Sequence, residues 1–160
     1  MRLFSAASPR QVDLGLAVLR VVTGVIFAAH GAQKLFVYGM DGVAGGFAQM
    51  GIPLAQVAGP AVALLEFFGG IALVVGLLAR PVALGLGITA LGAIFFAHLP
   101  AGFFMPKGYE FVLALFGASF MLAVTGAGAW SVDAWIASRR PSGRKNSGFV
   151  SEPRTATHTA

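Results

Sequence analysis

The amino-acid sequence predicts an all-α integral membrane protein, a four-helix bundle with both termini in the cytoplasm and a disordered C-terminal tail. Of its 160 residues, 57% are hydrophobic and only 11% are charged, and the mean hydropathy is +0.81. A water-soluble domain needs more charge than this on its surface. Four apolar segments also approach the length of about 20 residues with which a helix crosses a bilayer. They comprise residues 12–36, 55–79, 82–98 and 109–126.

The connections between these segments carry helix-breaking residues. Glycines and Pro53 interrupt residues 37–54, where a short interfacial helix is expected at 43–50. Pro81 suits the first turn of the third helix. After Trp135 the chain is rich in Ser, Thr, Pro and Arg and has no apolar period. The predicted organisation is therefore a cytoplasmic N-terminal tail (1–11), a four-helix transmembrane domain (12–136) and a disordered basic cytoplasmic tail (137–160).

The basic residues predict the orientation of the chain in the bilayer. Cytoplasmic loops and tails of membrane proteins carry an excess of Lys and Arg. If both termini lie in the cytoplasm, Lys34 and Lys107 are the only basic residues of the loops and tails on the outer side of the membrane. The basic residues then placed inside are Arg2, Arg10, Arg80, Arg139, Arg140, Arg144, Lys145 and Arg154.

The first two spans each place small and polar residues on one face. At about 100° per residue, the stripe on the first span comprises Arg20, Thr23, Gly24, Phe27, His30, Gly31 and Lys34. The stripe on the second span comprises Gly59, Ala63, Glu66, Gly70 and Leu73. Small residues let helix backbones approach closely, so we expect these two faces to pack against each other.

Arg20 and Glu66 form the predicted intramembrane polar site. A charge at the centre of a bilayer costs about 2.5–3.5 kcal/mol on insertion scales, so we expect the two side chains to pair. Two interpretations of that pair stay open. It locks the register of two helices, or it also lines a site for a ligand, a quinone or a proton. A kink at Pro60 would shift Glu66 toward the outer leaflet.

A second polar cluster is expected near the outer surface. Its members are His30, Lys34, His98 and Glu110. Two histidines and a carboxylate suit a divalent metal. The spacing matches no recognised ligand motif, however, so a hydrogen-bonded vestibule is the favoured interpretation and no metal site is predicted.

The fourth span is expected to turn one helical face inward. That face comprises Glu110, Ala114, Gly117, Met121 and Thr125, which recur at helical spacing. Aromatic residues near both ends of the spans fit interfacial belts. They include Phe95, Phe96, Phe103, Phe104 and Tyr109 at the outer boundary, and Trp130 and Trp135 at the inner one.

Several chemistries are disfavoured by what the sequence lacks. The chain contains no cysteine, which removes thiolate metal sites and thiol redox chemistry carried by this chain alone. Its basic residues are not interleaved with aromatics, so we expect no nucleic acid as a partner. No phosphate-binding glycine loop or nucleophile elbow is present.

Three motifs give the chain a resemblance to a known family. The stretch "LRVVTGVIFAAHGAQKL" resembles the first-helix signature of DoxX family proteins. The stretch "LLEFFGGIALVVGLLARPVAL" resembles their second signature, and "GAGAWSVDAW" resembles their closing segment, with Val132 in place of the usual Leu. The residues that match are Arg20, Gly24, His30, Gly31, Lys34, Leu35, Glu66, Gly69, Gly70, Gly76, Arg80, Ser131 and Asp133.

This resemblance implies a location and a loose functional link. It implies a small multi-pass protein of the bacterial cytoplasmic membrane, with four helices. Because the related DoxD proteins form part of a thiosulfate to quinone oxidoreductase, it also implies a connection to redox or sulfur metabolism. It does not say which matched residues act chemically.

Three functions follow as hypotheses. The first is a membrane subunit or accessory protein of an oxidoreductase system, which anchors a soluble or membrane redox partner and offers quinone a site beside Arg20 and Glu66. The second is a small transporter or proton pathway in which Glu66 changes its protonation. The third is a structural or stress-related membrane protein without chemistry of its own. Sequence does not decide whether the chain is an enzyme.

Overall fold

The computed structural model describes residues 6–139, and every regular element in that range is helical. Three helical segments are long and apolar enough to cross a membrane, namely Pro9–Gln49, Ala55–Val75 and Ala79–Ala101. A shorter apolar helix follows at Glu110–Thr125. The predicted all-helical membrane protein is confirmed at this level. Disorder is predicted for residues 137–160, of which residues 140–160 lie outside the described residues, as do residues 1–5, whereas Ala137 and Ser138 belong to the helix Val132–Ser138.

The long segments are broken into α-helices by short stretches of other helical geometry. The α-helices are α1 (Pro9–Ala32), α2 (Gly39–Gln49), α3 (Ala55–Leu64), α4 (Gly70–Val75), α5 (Ala79–Ala93), α6 (Glu110–Thr125) and α7 (Val132–Ser138). Wider π-helical turns follow α1, α3 and α5, at Gln33–Tyr38, Leu65–Gly69 and Ile94–His98, and a 3₁₀ turn spans Leu99–Ala101. A capping box between Ser8 and Gln11 fixes the start of α1.

The small-residue faces of the first two spans pack against each other, as the sequence predicts. The buried residues of α1 are Arg20, Thr23, Gly24, Phe27 and Gly31. Those of the second span include all five predicted positions, Gly59, Ala63, Glu66, Gly70 and Leu73. A Cβ atom added to Gly24 would lie 2.6 Å from the carbonyl oxygen of Gly70. The two backbones are therefore too close for any residue but glycine at this crossing.

The inward face predicted for the fourth span is wrong. The buried residues of α6 are Leu115, Ser119 and Leu122, and they pack against α5. The predicted positions Ala114, Gly117, Met121 and Thr125 lie on the exposed side. Because α6 is apolar all round, the spacing of its small residues does not distinguish a face that meets protein from one that meets lipid.

The two ends of the described chain meet at one end of the helix bundle. The carboxylate of Asp13, near the start of α1, accepts a hydrogen bond from the backbone N–H of Ala129, with 2.9 Å between the atoms. Ser131 then caps α7 by accepting from the N–H of Ala134. We call this the terminal end of the bundle, defined by Asp13, Arg20, Trp130 and Asp133.

Candidate functional site

Three π-helical turns bring three polar side chains together at the opposite end of the bundle. Lys34 belongs to the turn after α1, Glu66 to the turn after α3 and His98 to the turn after α5. A π turn holds one residue more than an α turn, is rare in proteins and is frequent at functional sites. All three side chains line the same cavities, so the turns define one location in the fold.

Lys34 and Glu66 form an ion pair inside this location. The Nζ atom of Lys34 lies 2.5 Å from Oε2 of Glu66, and the side chains are 22% and 8% exposed. The sequence-based expectation that Arg20 is the partner of Glu66 is wrong. The first and second spans are antiparallel neighbours, and the close approaches of Gly31 to Phe67 and of Gly24 to Gly70 put Glu66 level with Lys34.

Arg20 instead contacts residues at the terminal end of the bundle. It is 4% exposed, and its Nη2 donates a hydrogen bond to the carbonyl oxygen of Trp130 over 2.8 Å. Nε and Nη1 have no hydrogen-bond partner within the described residues, and the carboxylate of Asp133 attracts the guanidinium without forming an ion pair with it. That carboxylate also accepts hydrogen bonds of 2.8 and 2.9 Å from the backbone N–H groups of Leu78 and Ala79, which open α5. The two predicted members of the intramembrane site, Arg20 and Glu66, thus occupy different places.

Two cavities adjoin the Lys34–Glu66 pair. The smaller has a volume of about 160 Å³ and extends between α1, α5 and α6, where Phe27 and Leu115 line it. The larger has a volume of about 340 Å³ and extends between α2, α3 and α5. Lys34, Glu66 and His98 line both. The larger volume falls within the range of about 300–1,000 Å³ typical of small-molecule sites.

His98 has a defined orientation in this site. Its Nδ1 lies 2.9 Å from the carbonyl oxygen of Lys107. A carbonyl oxygen only accepts hydrogen bonds, so Nδ1 is the donor, and Nε2 of the neutral ring carries a lone pair. His30 lines the smaller cavity but is otherwise exposed.

Glu110 does not join the predicted outer cluster. Its Oε1 accepts a hydrogen bond of 2.7 Å from the backbone N–H of Met105, and this bond closes the loop before α6. The outer cluster therefore comprises His30, Lys34 and His98, with Glu66 added from the second span. Within residues 6–139, His, Asp and Glu side chains form no group of three or more that could hold a metal ion.

Sequence reasoning missed two features, one at the site and one at the terminal end of the bundle. The first is the set of π turns, for which the sequence offers no signal. The second is the role of Asp133, whose side chain caps α5 from a distant segment. The stretch from Ser131 to Asp133 does have the composition of a helix start.

The chain is similar to several known membrane proteins. A family model described as DoxX matches residues 15–99. A protein named "Putative oxidoreductase CatD" from Bacillus subtilis is 33% identical over 129 residues, which cover 79% of this chain and 90% of that relative. Inner membrane protein YqjF from Escherichia coli is 34% identical over 122 residues, covering 76% and 91%. Inner membrane protein YphA from the same species is 30% identical over 139 residues, covering 83% and 96%. No solved structure matches the chain.

Proposed function

The chain belongs to the DoxX family of membrane proteins, and on that premise we propose that it is a membrane subunit or accessory protein of an oxidoreductase system. In this proposal the cavity beside Lys34 and Glu66 binds a quinone. The name of the Bacillus subtilis relative supports the oxidoreductase part. The chain has no cysteine, so the redox centre that exchanges electrons with the quinone would belong to a partner protein.

The observation that carries the proposal is the convergence of Lys34, Glu66 and His98 from three separate π turns. An ion pair that only fixed the register of two helices would need neither a third polar residue nor adjoining cavities. Ionisable residues in membrane-spanning segments are functional candidates because their burial is costly. Here the ionisable residues Lys34 and Glu66 lie where two cavities meet.

The residues present suit a quinone. A quinone head is a flat, uncharged ring with carbonyl oxygens, and it needs apolar walls and a small number of hydrogen-bond donors. The ammonium of Lys34 is such a donor, and Glu66 holds it in place through the ion pair. Nε2 of His98 is an acceptor for the hydroxyl that a reduced ring carries. When bound, a quinone supplies two-electron redox chemistry, which no side chain of this protein offers.

The proposal includes four spans in the bacterial inner membrane, with both chain termini in the cytoplasm. The α6 helix has 16 residues and a length of about 24 Å, so it needs its flanking residues or a locally thinner bilayer to cross. The terminal end carries both ends of the described chain, and the positive-inside pattern favours the cytoplasm for it. Alkaline phosphatase fused to the C-terminus should be inactive, and an active periplasmic fusion would overturn this topology.

Bound quinone tests the proposal directly. The protein is extracted from native membranes into lipid nanodiscs, and its quinone content is measured by mass spectrometry against empty nanodiscs from the same lipid. We expect near-stoichiometric quinone in the wild type and at least a tenfold loss in Lys34→Met. Lys107→Met is the matched control, because it removes a cation from the same side of the protein while the backbone carbonyl that orients His98 stays. Equal quinone in Lys34→Met and the wild type would overturn the proposed site.

The same preparation separates the other two hypotheses. A proton pathway through Glu66 predicts pH-linked uptake in proteoliposomes without any partner protein or bound ring. A purely structural protein predicts neither bound quinone nor uptake. A co-purified redox enzyme, identified by mass spectrometry of the proteins in the same extract, supports the accessory role.

A further inference from the structure

Both cavities open at the surface of the helix bundle, the smaller one beside the exposed residues His30 and Phe111 and the larger one beside Ile88 and Phe96. Among the residues lining the larger cavity, Ile88 is 63% exposed and Phe96 is 45% exposed. Both residues belong to the segment Ala79–Ala101, which is long and apolar enough to cross a membrane, so exposed apolar side chains there are expected to meet hydrocarbon. Phe27 and Ala90, which line the smaller cavity, are only 4% and 2% exposed. The smaller cavity thus also reaches residues of the protein core, and a ligand that fills both cavities extends from those residues to the surface beside Ile88 and Phe96.

The ionisable groups are concentrated where the two cavities meet. The larger cavity has three ionisable residues in its lining, Lys34, Glu66 and His98, and all three line the smaller cavity as well. The smaller cavity adds a fourth, His30. Apart from these and Thr89, the larger cavity has an apolar lining. Its polarity thus falls from the junction toward the lipid side.

We propose that the two cavities are the head and tail compartments of one site for a long-chain amphiphile. The polar ring lies in the smaller cavity against Lys34 and His98. The apolar chain passes through the larger cavity, between α2, α3 and α5, and leaves at Ile88 and Phe96. This inference rests on the proposed function and specifies which form of quinone the site takes and in which direction its chain points.

Gly92 offers a way to block the tail compartment alone. It lines only the larger cavity, and a Cβ atom added to it meets no atom within 4 Å. A leucine side chain at this position therefore has room to enter the cavity without displacing the backbone. Gly117 is the matched control, because its added Cβ also meets open space while it lines neither cavity. Both glycines are in apolar helical segments of the bundle.

The test compares two probes in nanodiscs, 2,3-dimethoxy-5-methyl-1,4-benzoquinone without a chain and the same ring with a ten-carbon chain. Moving an alkyl chain from lipid to an apolar cavity changes the free energy of the chain only slightly. At equal concentrations of probe in the membrane, the wild type should therefore bind the two probes with similar affinity. We expect Gly92→Leu to weaken binding of the chained probe at least tenfold and to leave the chainless probe within twofold. Gly117→Leu should bind both probes as the wild type does.

The outcomes separate this inference from the proposed function. If Gly92→Leu binds both probes like the wild type, the tail compartment is refuted and the quinone site stands. Loss of both probes by a variant with an unchanged unfolding profile would put the ring in the larger cavity and overturn the orientation. Ala58→Leu narrows the same cavity from α3 and should repeat the result if Gly92→Leu does not fold. If the wild type binds neither probe, the proposed function fails.

Discussion

The side chains of Lys34 and Glu66 should be strongly coupled in a double-mutant cycle. The two single variants should lose unequal amounts of unfolding free energy. Lys34→Met leaves a carboxylate that is only 8% exposed without its partner. Removing one member of a buried pair costs about 3–5 kcal/mol, because an uncompensated charge stays behind. We expect a loss of about 3 kcal/mol in the free energy of unfolding for this variant, at the lower end because the pair is not fully enclosed.

The opposite single variant should cost less. Glu66→Met leaves Lys34, whose side chain is 22% exposed and carries a long flexible stem. Such a side chain can extend toward the membrane surface and recover hydration for its ammonium group. The expected loss is about 1–2 kcal/mol, which is the usual penalty for a buried polar group without a partner. The two single variants should therefore differ by more than about 1 kcal/mol, which is well within the resolution of a comparative unfolding titration.

The double variant decides whether the pair itself stabilises the fold. Methionine at both positions fills a similar volume without charge, and replacing a whole buried pair in this way is often neutral or stabilising. We expect Lys34→Met/Glu66→Met to lie within about 1 kcal/mol of the wild type. The measurement is unfolding by titration with sodium dodecyl sulfate in detergent micelles, followed by circular dichroism. If the two single losses simply add in the double variant, the side chains are not coupled and the reasoning is refuted.

Two further predictions concern helix packing and capping. Gly31→Ala places a methyl group into the backbone of Phe67, and should cost about 2 kcal/mol or more in the same titration. Gly15→Ala, on the same helix in open space, should be neutral or slightly stabilising, and equal losses in both variants would contradict a packing role. Asp133→Ala removes the cap of α5 and should cost about 1–2 kcal/mol, which hydrogen exchange at the N–H groups of Leu78 and Ala79 would register as faster exchange.

Much of the helix packing could be predicted from the sequence, because small residues at helical spacing mark backbones that approach closely. This rule identified the buried faces of the first and second spans. It failed for α6, where Gly117 lies on the exposed side although its spacing resembles that of a packing glycine. A residue without a side chain is compatible with both lipid and protein neighbours, so spacing alone does not decide between them.

The partner of Glu66 was beyond sequence reasoning, because it depends on the register of two antiparallel helices. The residue pattern predicts Arg20 as the partner of Glu66 inside the membrane. The register is set instead by the contact of Gly31 with the backbone of Phe67, one residue beyond Glu66. Three residues after Gly31 comes Lys34, on the same face of the first span. The π turns shift the helical register further, and no residue pattern in the sequence predicts them.

The two cations of the first span, Arg20 and Lys34, are held in ways that suit different roles. Arg20 donates to the backbone carbonyl of Trp130, and its guanidinium is packed so tightly against Gly76 that a Cβ atom there would collide with it, while Nε and Nη1 have no hydrogen-bond partner within the described residues. A backbone carbonyl cannot turn away or change its charge, and the guanidinium fills the space beside Gly76, so this arrangement favours the interpretation in which Arg20 fixes the register. Lys34 is held by a side chain, with cavities on both sides. Side chains can exchange one partner for another, and for this reason a ligand is expected at Lys34 and Glu66 rather than at Arg20.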